Sequence, residues 1–164
     1  MSKIILYKGE YSMSEVLDVL GPRIQHLTEL SDDQTYCLMK GEVGPGVFVP
    51  IHSHEDRETF FVLSGEIEAW TGDKWTVYRV GDTLDIPGNR KHAWRNSTSE
   101  NVTLLIASTV KMGEFFNEIG RPADSVPPGP PEPAALQHFV EVALSYGYWL
   151  GTPDDNATIG LLLG

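Results

Sequence analysis

Short runs of alternating apolar and polar residues fill the chain from Ile24 to Val110. An alternation with a period of two puts every second side chain on one face of a strand, so each run predicts a half-buried strand. Residues that favour turns separate the runs. The runs are residues 24–30, 35–43, 59–65, 66–72, 74–80, 82–86, 92–96 and 102–110. About eight short strands with regular spacing predict an antiparallel sandwich or a small barrel.

The segment before these runs gives an ambiguous pattern. Residues 12–21 carry serine caps and a glycine stop that are typical of a helix, but they also alternate enough to form a strand. Both interpretations stay open. We assign residues 1–22 to an N-terminal arm and residues 23–111 to the β-barrel.

In the remainder of the chain, residues 112–164, the spacing of apolar residues changes to one that is typical of helices. This extension is predicted to contain a short helix, a proline-rich connector and an amphipathic helix, at residues 112–120, 121–133 and 134–147, respectively. The apolar stripe of the last helix is Leu136, Phe139, Val140 and Ala143, and Gly147 is its expected stop. The helix could pack as a structural element or, with Phe115 and Phe116, cover the barrel as a lid.

Two histidines and a glutamate in the middle of the chain have a spacing that suits metal coordination. His52 and His54 are two residues apart, so on an extended strand both side chains leave the same face and can reach one ion. Glu58 follows after a short, charged turn. About four donors replace most of the water shell of a transition metal. His92, which follows the turn at Pro87 and Gly88, is the fourth candidate ligand.

The spacing of these residues resembles the two sequence motifs of the cupin superfamily. Gly46, His52, His54, Glu58 and Gly65 match the first motif, and Gly81, Pro87, His92 and Asn96 match the second. One position departs from the family pattern, because Asn89 stands where a glycine is usual. Asparagine tolerates left-handed backbone geometry better than other non-glycine residues, so we expect the turn to survive. The resemblance spans residues 20 to 110.

The resemblance implies an all-β fold, the cupin jelly-roll barrel or double-stranded β-helix, here with a short helical C-terminal extension. The helix, proline linker and second helix after the barrel resemble single-domain cupins that are similar to quercetin dioxygenase. In those enzymes the ligating glutamate also accepts the acidic proton of the substrate, and the resemblance implies this catalytic role for Glu58. The apolar outer strands and the additional helix make a homodimer the default expectation.

Strand alternation also predicts which side chains line the barrel near the ion. Phe60 follows Glu58 by two residues, Trp94 follows His92 by two, and Phe48 precedes His52 by an even step, subject to bulges. These aromatic side chains would suit a planar or oxygenated organic substrate. Phe48 and Phe60 also fit an interpretation as core residues, whereas Trp94 is the better pocket candidate.

Three imidazoles and one carboxylate leave one or two coordination positions open, which is typical of a catalytic site. We expect one divalent transition metal ion: Fe, Mn, Ni, Co or Cu for oxygen chemistry, or Zn for Lewis-acid chemistry. The leading hypothesis is a dioxygenase that acts on a small hydroxylated aromatic or enolisable compound. The alternatives are a non-redox isomerase, lyase or polyketide-type cyclase, and a cupin that binds a small molecule without catalysis. The scaffold alone does not choose among them.

Composition and charge narrow the choice of partners. The net charge is −11 and the basic residues are scattered, which disfavours nucleic acid and anionic membrane surfaces. No apolar run is long enough to span a bilayer, and the N-terminus lacks the apolar core of a secretory signal, so we expect a cytoplasmic protein. Its expected partner is a small-molecule substrate.

The remaining reactive residues are interpreted as structural. Cys37, the only cysteine, lies in an alternating run and has no supporting base near it in sequence, so burial is the expectation. His26 and His138 have no ligand partner at metal-binding spacing and are expected to be structural or exposed. Asp56, in the charged turn before Glu58, is expected to be solvated.

Overall fold

The computed structural model describes residues 14–31 and 35–163, and in this part of the chain two antiparallel sheets pack face to face. The strands are β1 (Leu17–Asp18), β2 (Arg23–His26), β3 (Cys37–Val43), β4 (Phe48–Ser53), β5 (Glu58–Ser64), β6 (Glu66–Trp70), β7 (Trp75–Arg79), β8 (Thr83–Ile86), β9 (His92–Arg95), β10 (Val102–Ser108), β11 (Arg121–Pro122) and β12 (Trp149–Leu150). The helices are α1 (Val110–Ile119), α2 (Pro133–Ser145) and α3 (Pro153–Thr158), with a 3₁₀ turn at Ala123–Ser125.

The strand order confirms the predicted jelly roll. The larger sheet runs β11-β1-β2-β3-β10-β5-β8, and the smaller sheet runs β12-β4-β9-β6-β7. Between β3 and β10, successive strands alternate between the two sheets except at the β6–β7 hairpin, as they do in a double-stranded β-helix. The alternating runs of the sequence form the strands because one residue in two faces the core. In β3 and β10, buried and half-buried residues alternate along the whole strand.

The N-terminal ambiguity is resolved in favour of a strand. Residues 1–13 of the predicted arm lie outside the described residues, but Leu17 and Asp18 pair with β2 on one side and β11 on the other. These two residues are therefore part of the larger sheet. The division of the chain into arm, barrel and extension stays a prediction.

The apolar stripe predicted for the amphipathic helix is partly wrong. Ala143 is fully buried and Phe139 packs against the core, but Leu136 and Val140 are 45% and 41% exposed. The buried face of α2 instead includes Val142. The difference arises because α2 packs mainly against α1. A single neighbouring helix buries a narrower stripe of α2 than a sheet would.

The chain after α2 returns to the smaller sheet, which the sequence did not predict. Gly147 adopts a φ of 79°, a left-handed conformation that ends the helix as expected. β12 then pairs with β4, the strand that carries His52. The following α3 packs against the same strand. None of the described helices is long and apolar enough to cross a membrane.

Candidate metal centre

The four candidate ligands come from β4 and β9 of the smaller sheet, from β5 of the larger sheet and from the connection between β4 and β5. His52 lies near the end of β4 and pairs directly with His92, the first residue of β9. Glu58 is the first residue of β5, and His54 lies in the connection between β4 and β5. Residues far apart in sequence thus converge because the ligand-bearing parts of β4, β5 and β9 lie at the same end of the barrel.

The three histidines form a cluster with the dimensions of a metal site. One ring nitrogen from each of His52, His54 and His92 lies within 4.8 Å of the others. The ring centroids of His52 and His92 are 4.2 Å apart, and His54 lies 5.6 Å and 5.2 Å from these two. Such a cluster can hold one ion between the rings.

Backbone carbonyls fix the orientation of each imidazole. Nδ1 of His52 lies 2.7 Å from the Pro50 carbonyl, and Nδ1 of His92 lies 2.8 Å from the Arg90 carbonyl. Nδ1 of His54 lies 2.9 Å from the carbonyl of Asp56. A neutral imidazole that donates from Nδ1 keeps a lone pair on Nε2. All three rings therefore offer Nε2 to the centre, which is the arrangement usual for metal-binding histidines.

Glu58 adds a buried carboxylate to this cluster. Its Oε2 atom lies 3.4 Å from Nε2 of His54 and 3.4 Å from Nε2 of His92. Burial alone would raise the pKa of Glu58, but the adjacent imidazoles of His54 and His92 outweigh it and hold this pKa well below its usual range. Glu58 is therefore an anion at neutral pH, although it is only 4% exposed.

The histidines differ in their affinity for protons. Burial, with the neighbouring rings of His92 and His54, lowers the pKa of His52 to about 3. Burial also acts to lower the pKa of His54, but hydrogen bonding and attraction to Glu58 raise it overall. His52 is thus neutral over the whole physiological range.

These residues fit a divalent transition metal ion. Within the described chain, Nε2 of His92 is buried and makes no hydrogen bond, so it lacks the partner that a buried nitrogen normally has. A buried carboxylate likewise calls for a nearby positive charge. Imidazole nitrogen and carboxylate oxygen together suit Fe, Mn, Co, Ni, Cu or Zn better than Ca²⁺ or Mg²⁺.

The aromatic residues predicted to line the pocket fall into two groups. Phe60 and Trp94 are 7% and 6% exposed, and their ring centroids lie 4.4 Å apart inside the barrel. Each is two residues beyond a candidate ligand in its strand, and both belong to the buried apolar core. Phe48 does not join them: it pairs with Arg95 on the outer face and is 38% exposed. The cause is a bulge between Val49 and His52, which breaks the even count.

Asp56 was wrongly expected to be solvated. It is only 3% exposed, and its carboxylate accepts a hydrogen bond from the hydroxyl of Thr109, the N-cap of α1. The charged neighbours Glu55 and Arg57 do lie at the surface. Nothing in the local sequence separates Asp56 from these two, because its burial depends on α1 and on the C-terminal extension.

Tyr148 is the site residue that sequence reasoning missed entirely. It follows α2 and the turn at Gly147, is 6% exposed, and has its ring centroid 5.3 Å from that of His54. Burial, and next the Asp56 carboxylate, raise the pKa of its hydroxyl well above the usual range. Tyr148 is therefore a neutral phenol beside the histidine cluster.

The turn that carries His92 has the backbone geometry expected for it. Asn89 has a φ of 64°, in the left-handed region, and its N–H donates to the carbonyl of His54 at 2.6 Å. At Gly88 a Cβ atom would lie 2.3 Å from the carbonyl oxygen of Glu55. The two ligand-bearing segments thus touch through their backbones, and Gly88 permits this close approach.

The residues interpreted as structural lie outside the cluster. Cys37 is completely buried, as predicted, and burial raises the pKa of its thiol to about 11, which disfavours the thiolate. His26 is buried beside α1 near Gly113, and His138 lies at the surface. Asn96 is 1% exposed and closes the turn after β9, donating to the carbonyls of Val43 and Glu100 at 2.9 Å and 2.7 Å.

Fold and site together define a jelly-roll protein with a three-histidine cluster that could hold a metal ion. Comparison with protein families agrees, since residues 39–108 match the sequence model of the Cupin domain. The chain therefore contains a cupin domain, as its motifs suggested. This matched region includes all four candidate ligands.

Comparison with individual proteins finds distant relatives. Quercetin 2,3-dioxygenase from Bacillus subtilis is 26% identical over 91 residues, which cover 55% of this chain and 27% of that protein. The chain thus spans about a quarter of the length of this curated relative.

Two solved structures share the fold. An RmlC-like cupin from Shewanella frigidimarina superposes with a TM-score of 0.56 at 17% identity, covering 70% of this chain and 96% of that one. The polyketide cyclase RemF from Streptomyces resistomycificus gives a TM-score of 0.54 at 18% identity, covering 67% and 80% of the two chains. At these identities the similarity establishes a common architecture and no common activity.

Proposed function

We propose that this protein is a metal-dependent dioxygenase acting on a small hydroxylated aromatic or enolisable compound. The observation that carries the proposal is the convergence of a buried, ionised Glu58 with the Nε2 atoms of three oriented histidines. The distant similarity to quercetin 2,3-dioxygenase supports the choice of reaction class. His52, His54, Glu58 and His92 would hold the ion.

Each side chain has a defined task in this proposal. Glu58 carries a negative charge, so it would accept a hydrogen bond from a substrate hydroxyl that reaches Oε2, and in this proposal it is the base that receives the hydroxyl proton. Phe60 and Trp94, which are buried and in contact with each other, would keep water away from the carboxylate. When bound, a redox-active ion supplies oxygen chemistry, whereas zinc supplies only Lewis-acid chemistry.

Metal analysis tests the first part of the proposal. We expect protein purified without chelator to contain near-stoichiometric transition metal and the His52→Ala variant to contain far less. His138→Ala is the matched control, because His138 lies at the surface outside the cluster. A similar metal content in wild type and His52→Ala would contradict the assigned site.

Oxygen uptake tests the second part. Protein loaded separately with Fe, Mn, Ni, Co, Cu or Zn is screened against flavonols, catechols and diketones in a closed oxygen electrode. Substrate-dependent uptake with a redox-active ion, lost in Glu58→Gln, is the expected result. Turnover without oxygen consumption would instead indicate the isomerase, lyase or cyclase alternative, and tight binding without turnover would indicate a binding protein.

A further inference from the structure

The outer face of the larger sheet is apolar at its centre. β3, β10 and β5 are adjacent in this sheet, and every second side chain of each strand belongs to the buried core. The side chains between these core residues therefore point outward. They include Leu38, Leu105, Ala107, Phe61 and Leu63. An antiparallel sheet with one solvated face normally carries polar residues there, so this face departs from the usual pattern.

The register of the strands joins these side chains into one patch. Leu105 pairs with Phe61 on one side, and Ala107 pairs with Leu38 on the other. Side chains directly opposite each other have Cβ atoms about 5 Å apart, so they are in contact. Phe61 and Leu63 are 39% and 46% exposed. Exposed apolar patches that span several strands mark interaction surfaces.

Charge distinguishes this face from the chain as a whole. The net charge is −11, so two copies repel each other wherever acidic surfaces meet. The outward positions of β2, β3, β10, β5 and β8 hold equal numbers of basic and acidic residues, namely Arg23, Lys40, Glu42 and Asp85. Both acids have local partners: Glu42 lies 3.2 Å from Nζ of Lys40, and Asp85 pairs with Arg57. A second copy can therefore approach this face without repulsion between like charges.

The face also has the size that an interface between two copies needs. Five strands spaced by about 4.8 Å, with up to seven residues at about 3.3 Å each, give a flat footprint of roughly 450 Å². Accessible surface follows every side chain and exceeds the flat footprint, which brings the face into the range of about 600–1,000 Å² per partner that stable interfaces bury. The exposed stripe of α2, which is Leu136, Val140 and Leu144, has a footprint of only roughly 130 Å².

We propose that the outer face of the larger sheet binds the same face of a second copy and that the protein is a homodimer held by this contact. A two-fold contact uses one patch on both copies, which a face without net charge permits. Facing sheets lie about 10 Å apart with interdigitated side chains, so Phe61 and Leu105 would be buried at the centre. The proposal is independent of the proposed enzymatic activity.

Sedimentation equilibrium of the full-length chain over a wide range of protein concentration tests the proposal. Phe61→Lys places a charge at the centre of the face. Val140→Lys is the matched control, because Val140 on α2 has nearly the same exposure, 41% against 39% for Phe61. Lys40→Glu tests the contribution of charge. Thermal denaturation of every variant shows whether it is folded.

We expect wild type to sediment at twice the chain mass of 18.2 kDa. Phe61→Lys should raise the dissociation constant of the dimer by at least about 30-fold, because it removes a central aromatic contact from both copies and buries two like charges. Val140→Lys should stay within about 2-fold of wild type. Lys40→Glu should weaken the dimer by a smaller factor than Phe61→Lys, and high salt should reduce this effect.

A wild type that is monomeric at every concentration would overturn the proposal and would mean that a different chain or segment covers the face. A dimer that Phe61→Lys leaves intact would also overturn it, and dissociation by Val140→Lys alone would place the interface on α2. If Phe61→Lys does not fold, Leu63→Lys repeats the test at a position that is 46% exposed. Failure of both variants to fold would contradict the outward placement of these side chains on which the proposal rests.

Discussion

The side-chain oxygen of Asn156 accepts a hydrogen bond from the backbone N–H of Ile51 at 2.9 Å, across a separation of 105 residues. Asn156 belongs to α3 and is completely buried, and Ile51 directly precedes His52 at the bulge of β4. The bulge leaves this N–H without a strand partner, and α3 supplies one. The C-terminal helix thus supports the strand that carries a candidate ligand.

Replacing Asn156 with alanine should destabilise the protein by about 1–3 kcal/mol, because the buried N–H of Ile51 would lose its acceptor. Urea denaturation monitored by circular dichroism measures this change. Thr158→Ala is the control on the same helix, since that hydroxyl donates to the Asp155 carbonyl at the surface. An Asn156→Ala variant as stable as Thr158→Ala would show that the bulge does not depend on α3.

Replacing Glu58 with glutamine should weaken metal binding by at least about 10-fold, because the amide keeps the shape of the carboxylate but removes its charge. Competition with a chromophoric chelator gives the dissociation constants. Glu55→Gln removes a charge of the same sign three residues away, where the side chain is 67% exposed and pairs with Lys111. Equal affinities in Glu58→Gln and Glu55→Gln would argue against Glu58 as a ligand.

His26 should make the stability depend on pH. Burial lowers its pKa below the ordinary value of 6.5, with a smaller opposing contribution from Asn117. The unfolded chain therefore takes up a proton first as the pH falls through about 6.5, and folding free energy is lost below that pH, at up to about 1.4 kcal/mol per pH unit. The loss of stability stops once the pH falls below the lower pKa that His26 has in the folded state.

The measurement compares the free energy of unfolding of wild type and His26→Leu from about pH 7.5 to about pH 5.5. Other groups titrate equally in both proteins, so the difference isolates His26. We expect wild type to lose more stability than the variant over this range. Parallel pH profiles would mean that the His26 ring accepts its proton as readily in the folded protein as in the unfolded chain.

Different substitutions at Asn89, in the turn before His92, should have very different effects on stability. Its φ of 64° is accessible to glycine, so Asn89→Gly, which restores the residue usual in the family, should change stability by no more than about 0.5 kcal/mol. Asn89→Val should destabilise the fold by about 1–2 kcal/mol, because a branched side chain strains this conformation. Thermal denaturation measures the stability of both variants. Similar losses of stability in both would contradict the left-handed geometry of Asn89.

The positions of the strands were predictable because a local alternation of apolar and polar residues is enough to identify a strand. In β3 and β10 the alternation of the sequence matches the alternation of buried residues over the full strand. The same local logic failed for Phe48, where one bulge reversed the face, and for α2, where Leu136 and Val140 are exposed. A bulge or a docking partner is set by neighbours that a local pattern does not contain.

The strand pattern of the sequence predicted a sandwich or small barrel, and the resemblance to the two cupin motifs selected the jelly roll and singled out His52, His54 and His92. Only the tertiary structure decided what surrounds them. The burial of Asp56, the contact of Tyr148 with His54 and the support of β4 by Asn156 all depend on the return of the C-terminal extension to the barrel. That return is driven by apolar packing and buried hydrogen bonds between segments distant in sequence, and no spacing within one segment encodes it.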